Sequence, residues 1–185
     1  AGPSELLVVA DAGICVETIA ADLLAQAEHD VDARAILVTK DPSLIEQVNE
    51  ALSRQLSTLS TADTAAAALE NGFAVLCKDD DELVAAVDLV APEHLELLGP
   101  EAEALADRIG HYGGLFVGPG AAEVLGDYGA GPNHTLPTGG TARFSGGLSV
   151  FDFIRVRTWM RVDDIARAQP LVRDAAALAE IEGLA

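Results

Sequence analysis

The sequence predicts an α/β protein with a parallel-rich, Rossmann-like sheet, flanking helices and a helical C-terminal tail. Short apolar runs that suit strands alternate with amphipathic stretches of about ten to fifteen residues, which is the pattern of βαβ units. Half of the 185 residues are hydrophobic but only 4% are aromatic, so the core must consist mainly of Ala, Val and Leu. Such a core suits helices packed on a buried sheet, and the length allows one domain or one domain plus an appendage.

The first elements follow from local patterns. Glu5–Asp11 (ELLVVAD) and Arg34–Thr39 (RAILVT) are apolar runs rich in β-branched residues and are predicted to be buried strands. Between them, Val16–His29 places its apolar residues on one face at helical spacing. A second helix is predicted to begin at Asp41, because a proline follows at an early helical position, where its missing N–H costs nothing.

The later elements continue this alternation. We predict a helical piece at Ala65–Leu69, a strand at Gly72–Cys77, a helix at Asp80–Leu89, a short strand at His94–Leu98, a helix at Pro100–Ile109 and a last strand at Gly114–Gly118. From Phe144 onward, the segment FSGGLSVFDFIR and then Asp163–Leu184 are expected to be helical. We therefore divide the chain into an α/β domain over residues 1–155 and a helical tail over residues 156–185.

Charge and composition exclude several classes of partner. The net charge of −19 would repel nucleic acid and anionic membranes. The start, AGPSELLVVADAG, lacks a basic region and is interrupted by Glu5 and Asp11, so it is expected to be neither a signal peptide nor a spanning helix. Cys15 and Cys77 show no CxxC spacing and are expected to be small buried residues in a reducing compartment. The chain is therefore expected in the cytoplasm.

The sequence contains no motif of the common phosphate-binding loops. Neither GxGxxG nor GxxxxGKS/T follows any predicted strand. In open parallel sheets, ligands usually bind beyond the carboxyl ends of the strands. We therefore expect Glu93, His94 and the segment 119–140 to lie near such ends.

The dipeptide Glu93-His94, directly after Pro92, is a candidate acid–base pair. On a regular strand the two side chains would point to opposite faces, so both reach one pocket only if the backbone is irregular, which the proline favours. A carboxylate and an imidazole have different pKa values and suit successive proton transfers. The alternative is a surface glutamate and a packed histidine after a turn, and the residues alone support both interpretations equally.

Two further pairs are candidates for binding a metal ion. Gln26 and His29 are three residues apart in the predicted first helix, so their side chains leave the same face. Taken alone, this pair is better explained as a helix end with a favourable histidine in its last turn. Asp127 and His134 flank a glycine-rich stretch, where a surface loop is the alternative, but the scarcity of Lys, Glu and Ser favours function. Ser4, before the first strand, is suited either to cap a turn or to contact a substrate.

Five blocks of the sequence together resemble histidinol dehydrogenase. They are GPSELLVVAD, ADLLAQAEHD, APEHLEL, GDYGAGPNHTLPTGGTARFSGGLSVFDF and the terminal EGL, in the family's order and over nearly the whole chain. The resemblance implies an NAD-dependent enzyme with one zinc ion per site. It further implies the two-step oxidation of L-histidinol to L-histidine at the end of histidine biosynthesis, by a homodimer.

The resemblance also implies roles for individual residues. Carried over by motif, Gln26, His29 and Asp127 are metal ligands that also contact the substrate, Glu93 and His94 are the acid–base pair, and Ser4, His94, His134 and Glu182 contact histidinol. The tail with Glu182 is implied to reach into the partner subunit's site. The family's nicotinamide-contacting residues precede GPSE and its fourth metal ligand follows EGL, so the chain is expected to be a zinc- and substrate-binding half, truncated at both ends.

Two other functions are alternatives on the sequence alone. One is a non-catalytic remnant or scaffold domain that lacks the cofactor half. The other is a metal-dependent hydrolase, since a zinc-activated water needs no NAD. If the resemblance is correct, the isolated segment is expected to bind zinc weakly and to oxidise little or no histidinol.

Overall fold

Five strands form one parallel sheet, as the sequence predicts. In the computed structural model, which describes residues 3–127, 129 and 133–184, they are β1 (Glu5–Ala10), β2 (Arg34–Thr39), β3 (Phe73–Leu76), β4 (His94–Leu98) and β5 (Gly114–Val117). The strand order is β3-β2-β1-β4-β5, and every neighbouring pair is parallel. The chain builds outward from β1 on one side and then crosses to the other side. The boundary between β1 and β4 is therefore the topological switch point of the sheet.

Helices connect the strands, and two of the helices that lie between strands, α2 and α4, begin at a capping carboxylate. The helices are α1 (Val16–Ala27), α2 (Pro42–Leu56), α3 (Ala62–Leu69), α4 (Asp80–Val90), α5 (Pro100–Glu103), α6 (Val124–Asp127) and α7 (Ile165–Glu182), with 3₁₀ turns at Thr141–Arg143 and Val150–Phe153. Asp41 accepts a hydrogen bond from the Ser43 N–H at the start of α2. Asp79 accepts one from the Glu82 N–H at the start of α4. Each carboxylate satisfies a backbone donor that has no partner inside its helix.

Several sequence-based expectations are wrong in detail. Helix α1 ends at Ala27, so His29 follows the helix instead of lying within it. Helix α5 ends at Glu103, and the chain continues in turns whose hydrogen bonds mostly join residues three apart. In FSGGLSVFDFIR only Val150–Phe153 is helical, because two adjoining glycines disfavour a helix before it. Cys15, which precedes α1, is exposed rather than buried.

Both faces of the sheet are packed with aliphatic side chains. Successive residues of β1 point to opposite faces. Leu7 and Val9 pack with α4 and with the segment 102–109, whereas Leu6 and Val8 pack with α1 and α2. The two clusters cover β1 completely, so the centre of the sheet leaves no room for a ligand.

Strand β4 brings two ionisable side chains to the face that α1 covers. Leu95 and Leu97 pack into the cluster on the opposite face, so the alternation of the strand turns His94 and Glu96 toward the α1 side. Phe116 of β5 is the register partner of Glu96 and shares that face. The α1 side of the sheet is therefore aliphatic over β1 and β2 but polar over β4.

Described residues of the segment that follows β5 contact this polar region and the start of β1. The Glu123 N–H donates a hydrogen bond to Glu96 Oε1 at 3.0 Å. Further along, the Gly139 N–H donates to Glu5 Oε2 at 3.2 Å, at the start of β1. The segment thus leaves the carboxyl end of β5 and returns along the sheet to the amino ends of the strands.

The chain divides into two units, Ala1–Ser149 and Val150–Ala185. The second unit contains α7, which begins after the capping residue Asp164 and ends at Gly183 in left-handed backbone with a φ of 74°. Large apolar side chains of this unit, including Trp159, are exposed. Across the described residues, no helix combines the length and the apolar character that a membrane-spanning segment requires.

Candidate functional site

The candidate acid–base pair lies at the amino ends of the strands. His94 is the first residue of β4 and is the register partner of Leu6 near the start of β1. Glu93 directly precedes the strand. The expectation that this pair lies near the carboxyl ends is therefore wrong. It followed the usual position of ligands in parallel sheets, and this chain departs from that rule.

A cavity of about 230 Å³ lies at the carboxyl ends of the strands, and three charged side chains that line it, Asp11, Lys40 and Glu101, are paired within the protein. Asp11, the residue after β1, accepts hydrogen bonds from the N–H groups of Glu101 and Ala102 at 2.7 and 3.0 Å. Lys40 bridges Asp80 and Glu101 at 2.7 and 2.8 Å. Polar groups that would attract a ligand at the switch point are thus engaged within the protein.

The backbone before β4 is irregular, as the proline predicts. Ala91 ends α4 in the left-handed conformation with a φ of 51°. A residue with a Cβ adopts this conformation at a cost of roughly 1–2 kcal/mol. The carbonyl of Glu93 then accepts a hydrogen bond from the Gly114 N–H at 2.8 Å, which joins this turn to β5. As a result, Glu93 and His94 line the same cavity although they are adjacent in sequence.

Glu5, the first residue of β1, holds both members of the pair through its main chain. Its N–H donates a hydrogen bond to Glu93 Oε2 at 3.1 Å, and its carbonyl oxygen lies 3.2 Å from His94 Nδ1. Because a carbonyl oxygen can only accept, this contact requires a proton on Nδ1, and in the neutral imidazole Nε2 is then the basic nitrogen. His94 Nδ1 is also 3.7 Å from Glu93 Oε2. The imidazole is thus oriented to act as a base through Nε2.

A cavity of about 320 Å³ connects the pair with other predicted site residues. It is lined by Ser4, Gln26, His29, Glu93, His94, Glu123 and His134. All of these residues except Glu123 are predicted from the sequence to belong to the site. They meet because α1 packs on the face toward which His94 points, and because the segment 119–148 returns to the same edge of the sheet.

Gln26 presents a buried oxygen that lacks a hydrogen-bond partner. The residue is 1% exposed, and among the described residues no donor reaches its Oε1 atom. An unpartnered buried acceptor costs about 1–3 kcal/mol, so its presence beside a cavity indicates a ligand that supplies the missing contact. A metal ion is such a ligand, and the imidazole of His29 lines the same cavity.

Two of the predicted site residues are not brought to the cavity by what the structure describes. Asp127 ends α6, and its side chain lies outside the described part of the chain. Glu182 is the last residue of α7, in the second unit. Within the described residues, no three His, Cys, Asp or Glu side chains are grouped so that they could hold a metal ion. The roles of Asp127 and Glu182 therefore stay predictions.

Two buried carboxyl groups beside the cavity are missed by the sequence analysis. Glu123 lines the cavity, and its N–H donates to Glu96, which is 1% exposed. Burial, together with the negative charge of Asp22, raises the pKa of Glu96 from 4.5 to about 7. The available signal for Glu96 is its place in the strand HLELL, where a carboxylate interrupts an apolar run. The signal for Glu123 is its position four residues before Asp127, which is one helical turn.

A second cavity of about 210 Å³ adjoins the first. Both cavities are lined by His94 and His134, and the second also by the apolar side chains of Phe116, Leu136 and Leu148. The ring centroids of His94 and Phe116 are 6.0 Å apart. The two histidines thus separate a polar from an apolar space, an arrangement that suits a ligand with polar and apolar parts.

The fold and the cavity together define a Rossmann-like α/β protein with a polar site at the amino edge of its sheet. A family model described as "Histidinol dehydrogenase" matches residues 1–185. The chain belongs to the histidinol dehydrogenase family, as the resemblance of its sequence blocks indicates.

Relatives and a solved structure agree with this family. The chain is 46% identical to histidinol dehydrogenase from Thermus thermophilus over 184 residues, which cover 100% of this chain and 44% of the relative. It is 48% identical to the enzyme from Geobacillus kaustophilus, with 100% and 43% covered. The crystal structure of histidinol dehydrogenase from Elizabethkingia anophelis matches with a TM-score of 0.86 at 38% identity, over 100% of this chain and 42% of that chain. The chain thus spans less than half the length of these relatives.

Proposed function

We propose that this chain is the zinc- and substrate-binding half of an enzyme that oxidises L-histidinol to L-histidine with NAD. The main support is the orientation of His94 by the Glu5 carbonyl, in a cavity that Glu93 and Gln26 also line. Oxidation of an alcohol requires a base for the hydroxyl proton, and oxidation of the aldehyde requires a base for the water that adds to it. An imidazole beside a carboxylate can supply both bases in one site.

In this proposal, a zinc ion would be held by Gln26, His29 and Asp127. The donors fit the metal, because the buried amide oxygen of Gln26 lacks a partner and because imidazole and carboxylate groups are common zinc ligands. When bound, zinc would polarise the substrate oxygen and orient the amino alcohol. We assign no residue of this chain to NAD, which is the acceptor of the two hydrides that the overall oxidation releases.

The acid–base pair would act in both oxidations. In the first, His94 Nε2 accepts the hydroxyl proton of histidinol, since the contact with the Glu5 carbonyl leaves this nitrogen with the lone pair. In the second, Glu93 accepts a proton from the water that adds to the aldehyde, with its carboxylate oriented by the Glu5 N–H. Ser4 and His134 line the same cavity and would hold the substrate there. Positioned groups of this kind contribute roughly 10²–10⁴-fold each to the rate.

The second unit would contact the partner subunit of a homodimer. Its exposed apolar side chains, such as Ile154, Trp159 and Met160, form the kind of surface that a second copy covers. Glu182 in α7 would then contact the substrate in the partner's site. We place the enzyme in the cytoplasm, as the composition and the start of the sequence predict.

Zinc binding by the 185-residue chain tests the metal site independently of catalysis. Zinc is titrated calorimetrically into the wild type, His29→Asn and His111→Asn. We expect weak binding by the wild type, about tenfold or more weaker binding after His29→Asn and no change after His111→Asn, since His111 does not line the cavity. Equal affinity in all three proteins would contradict the site.

Substrate turnover tests the activity in the complete enzyme that contains this chain. We expect two NADH to form for each histidinol oxidised, and little or none from the isolated chain. A complete protein that binds zinc but leaves histidinol unchanged would favour the non-catalytic scaffold. Hydrolysis of simple esters or amides by that protein would favour the hydrolase instead.

A further inference from the structure

Glu5 contacts more of the site than its position before the first strand suggests. Its main chain holds Glu93 and His94, as described above. Its side chain is 3% exposed; the carboxyl group interacts with the backbone N–H of Glu93 and also reaches a different element. Oε2 accepts a hydrogen bond from the Gly139 N–H at 3.2 Å, and Oε1 lies 3.8 Å from Arg34 Nη1.

Gly139 belongs to the same loop as His134. Within this loop, the Thr135 N–H donates to Asn133 Oδ1 at 2.8 Å, and the Leu148 N–H donates to the Thr135 carbonyl at 2.9 Å. These bonds hold His134 in a defined turn but connect the loop only to itself. The hydrogen bond from Gly139 to Glu5 connects the loop to the sheet, beside the strand that orients the acid–base pair.

We infer that the Glu5 carboxylate is a positioning group that fixes this loop on the sheet, so that His134 faces the Glu93–His94 pair. The inference deepens the proposed function and rests on it. A buried carboxylate is costly unless it is hydrogen-bonded, and an apolar residue would serve the sheet equally well at this position. Burial does raise the pKa of Glu5, and the Gly139 N–H and the charge of Arg34 oppose that shift. The carboxylate is thus explained by the loop that it holds.

The two parts of Glu5 should affect different kinetic constants. The main chain orients His94 and Glu93, and these contacts survive any substitution that leaves β1 in the ladder with β2 and β4. The side chain acts on the loop and hence on His134, which we assign to substrate binding. The contact of this side chain with the Glu93 backbone N–H is additional to the Glu5 main-chain bond that holds the Glu93 carboxylate and that every variant keeps. Loss of the carboxylate should therefore raise KM for histidinol and leave kcat nearly unchanged.

Three variants of the complete enzyme separate positioning from general stability. Glu5→Met keeps the volume but removes the acceptor, and we expect KM to rise about tenfold with kcat within about threefold of the wild type. Glu5→Gln keeps an oxygen that accepts the Gly139 N–H, and should restore KM to within about threefold. Asp11→Ala is the matched control, because Asp11 also accepts two backbone N–H groups but at the opposite edge of the sheet, and its KM should match the wild type.

Amide hydrogen exchange tests the same contact in the 185-residue chain without any activity. In the wild type and in Glu5→Gln, the Gly139 amide should be protected, whereas Glu5→Met should speed its exchange about tenfold or more and leave Val8 in β1 unchanged. An unprotected Gly139 amide in the wild type would overturn the inference, even if Glu5→Met failed to fold. Equal KM values for Met and Gln variants would also overturn it. A wild-type enzyme that does not oxidise histidinol would instead refute the proposed function, and the exchange result would still decide on Glu5.

Discussion

The two edges of the parallel sheet use the same kinds of residues in opposite ways. At the carboxyl edge, Asp11 accepts two backbone N–H groups and Lys40 bridges two carboxylates, so the charges there stabilise the fold. At the amino edge, Glu93, His94 and Gln26 surround a cavity, and Gln26 Oε1 has no partner among the described residues. In this chain, the candidate functional edge is marked by a buried polar atom that has no hydrogen-bond partner among the described residues, whereas the polar groups at the carboxyl edge are paired.

A physical reason explains why the candidate site does not lie at the carboxyl edge, where parallel sheets usually bind ligands. Ligands bind at the switch point of an open parallel sheet because the strands' carboxyl ends and the helix N-termini leave polar groups free there. Asp11 supplies these groups with an internal acceptor, and Gly99 has no Cβ because one would lie 2.5 Å from an Asp11 carboxylate oxygen. The candidate site lies instead at the amino edge, where Gln26 of α1 lines one cavity with Glu123 and His134.

The largest effect is expected at the amino edge, from His94→Asn. The Asn amide can still donate to the Glu5 carbonyl, so the fold should be retained, but the base at Nε2 is lost. We expect kcat for histidinol oxidation to fall by roughly 10²–10⁴-fold in the complete enzyme. Steady-state NADH formation measures kcat, and thermal unfolding checks the fold. A decrease of less than about fivefold would contradict the role assigned to His94.

The next effect concerns the buried Glu96 and depends on pH. Its pKa of about 7 in the folded chain exceeds the ordinary value of 4.5, so between these values the unfolded chain releases the proton while the folded chain retains it. The free energy of unfolding should therefore decrease as the pH rises from 4.5 to 7. Glu96→Gln removes this titration and should be more stable than the wild type by about 2–3 kcal/mol at high pH, but not at low pH.

Urea unfolding across this pH range measures the Glu96 effect. Glu46→Gln, which removes a charge from the exposed surface of α2, is the matched control and should run parallel to the wild type. If the stability difference between Glu96→Gln and the wild type were independent of pH, the raised pKa of Glu96 would be wrong.

A smaller effect is expected at the carboxyl edge, from Asp11→Ala. Two backbone N–H groups at the start of α5 lose their acceptor, and the free energy of unfolding should fall by about 1–2 kcal/mol. Urea unfolding measures this loss, while calorimetry should find zinc affinity unchanged. If Asp11→Ala weakened zinc binding and left the free energy of unfolding unchanged, the carboxyl edge would be the metal-binding edge, contrary to this comparison.

The smallest effect is expected from Gln26→Leu, and the test is whether this change raises or lowers the free energy of unfolding. Replacing a buried amide whose oxygen lacks a partner by an apolar side chain should stabilise the zinc-free chain by about 1 kcal/mol. The same change should weaken zinc binding about tenfold or more. Chemical unfolding with a chelator present measures the first effect and calorimetry the second. Destabilisation with unchanged zinc affinity would make Gln26 a structural residue.

Local signals in the sequence predict most of the sheet and several helix starts. Glu5–Ala10 and Arg34–Thr39 are apolar runs that are costly to expose to water, and they form two of the three interior strands, β1 and β2. The Asp41-Pro42 dipeptide marks the start of α2 because both residues favour a helix N-terminus. Helix ends are predicted less well, as in α1, because they depend on contacts that form only after the helix has packed.

The sequence predicts candidate site residues but not where they meet. Gln26 and His134 are singled out with the help of the family resemblance, and they line one cavity with His94, whereas no sequence signal was used for Glu123, which lines it too; the roles of these residues stay predictions. The hydrogen bond of Asp11 with the N–H of Glu101, 90 residues later, satisfies a polar group at the carboxyl edge, and no local sequence pattern predicts it.

By itself, the sequence determined the alternation of strands and helices, the residues with useful chemistry and the family to which the chain belongs. Only the tertiary structure decided at which edge of the sheet the charged groups are paired, where a buried amide oxygen is left without a partner among the described residues, and how Glu5 joins the loop of His134 to the acid–base pair. The reason is physical. Propensity and hydrophobic pattern act over a few neighbouring residues, whereas hydrogen-bond satisfaction depends on strand register and packing between segments far apart in the chain.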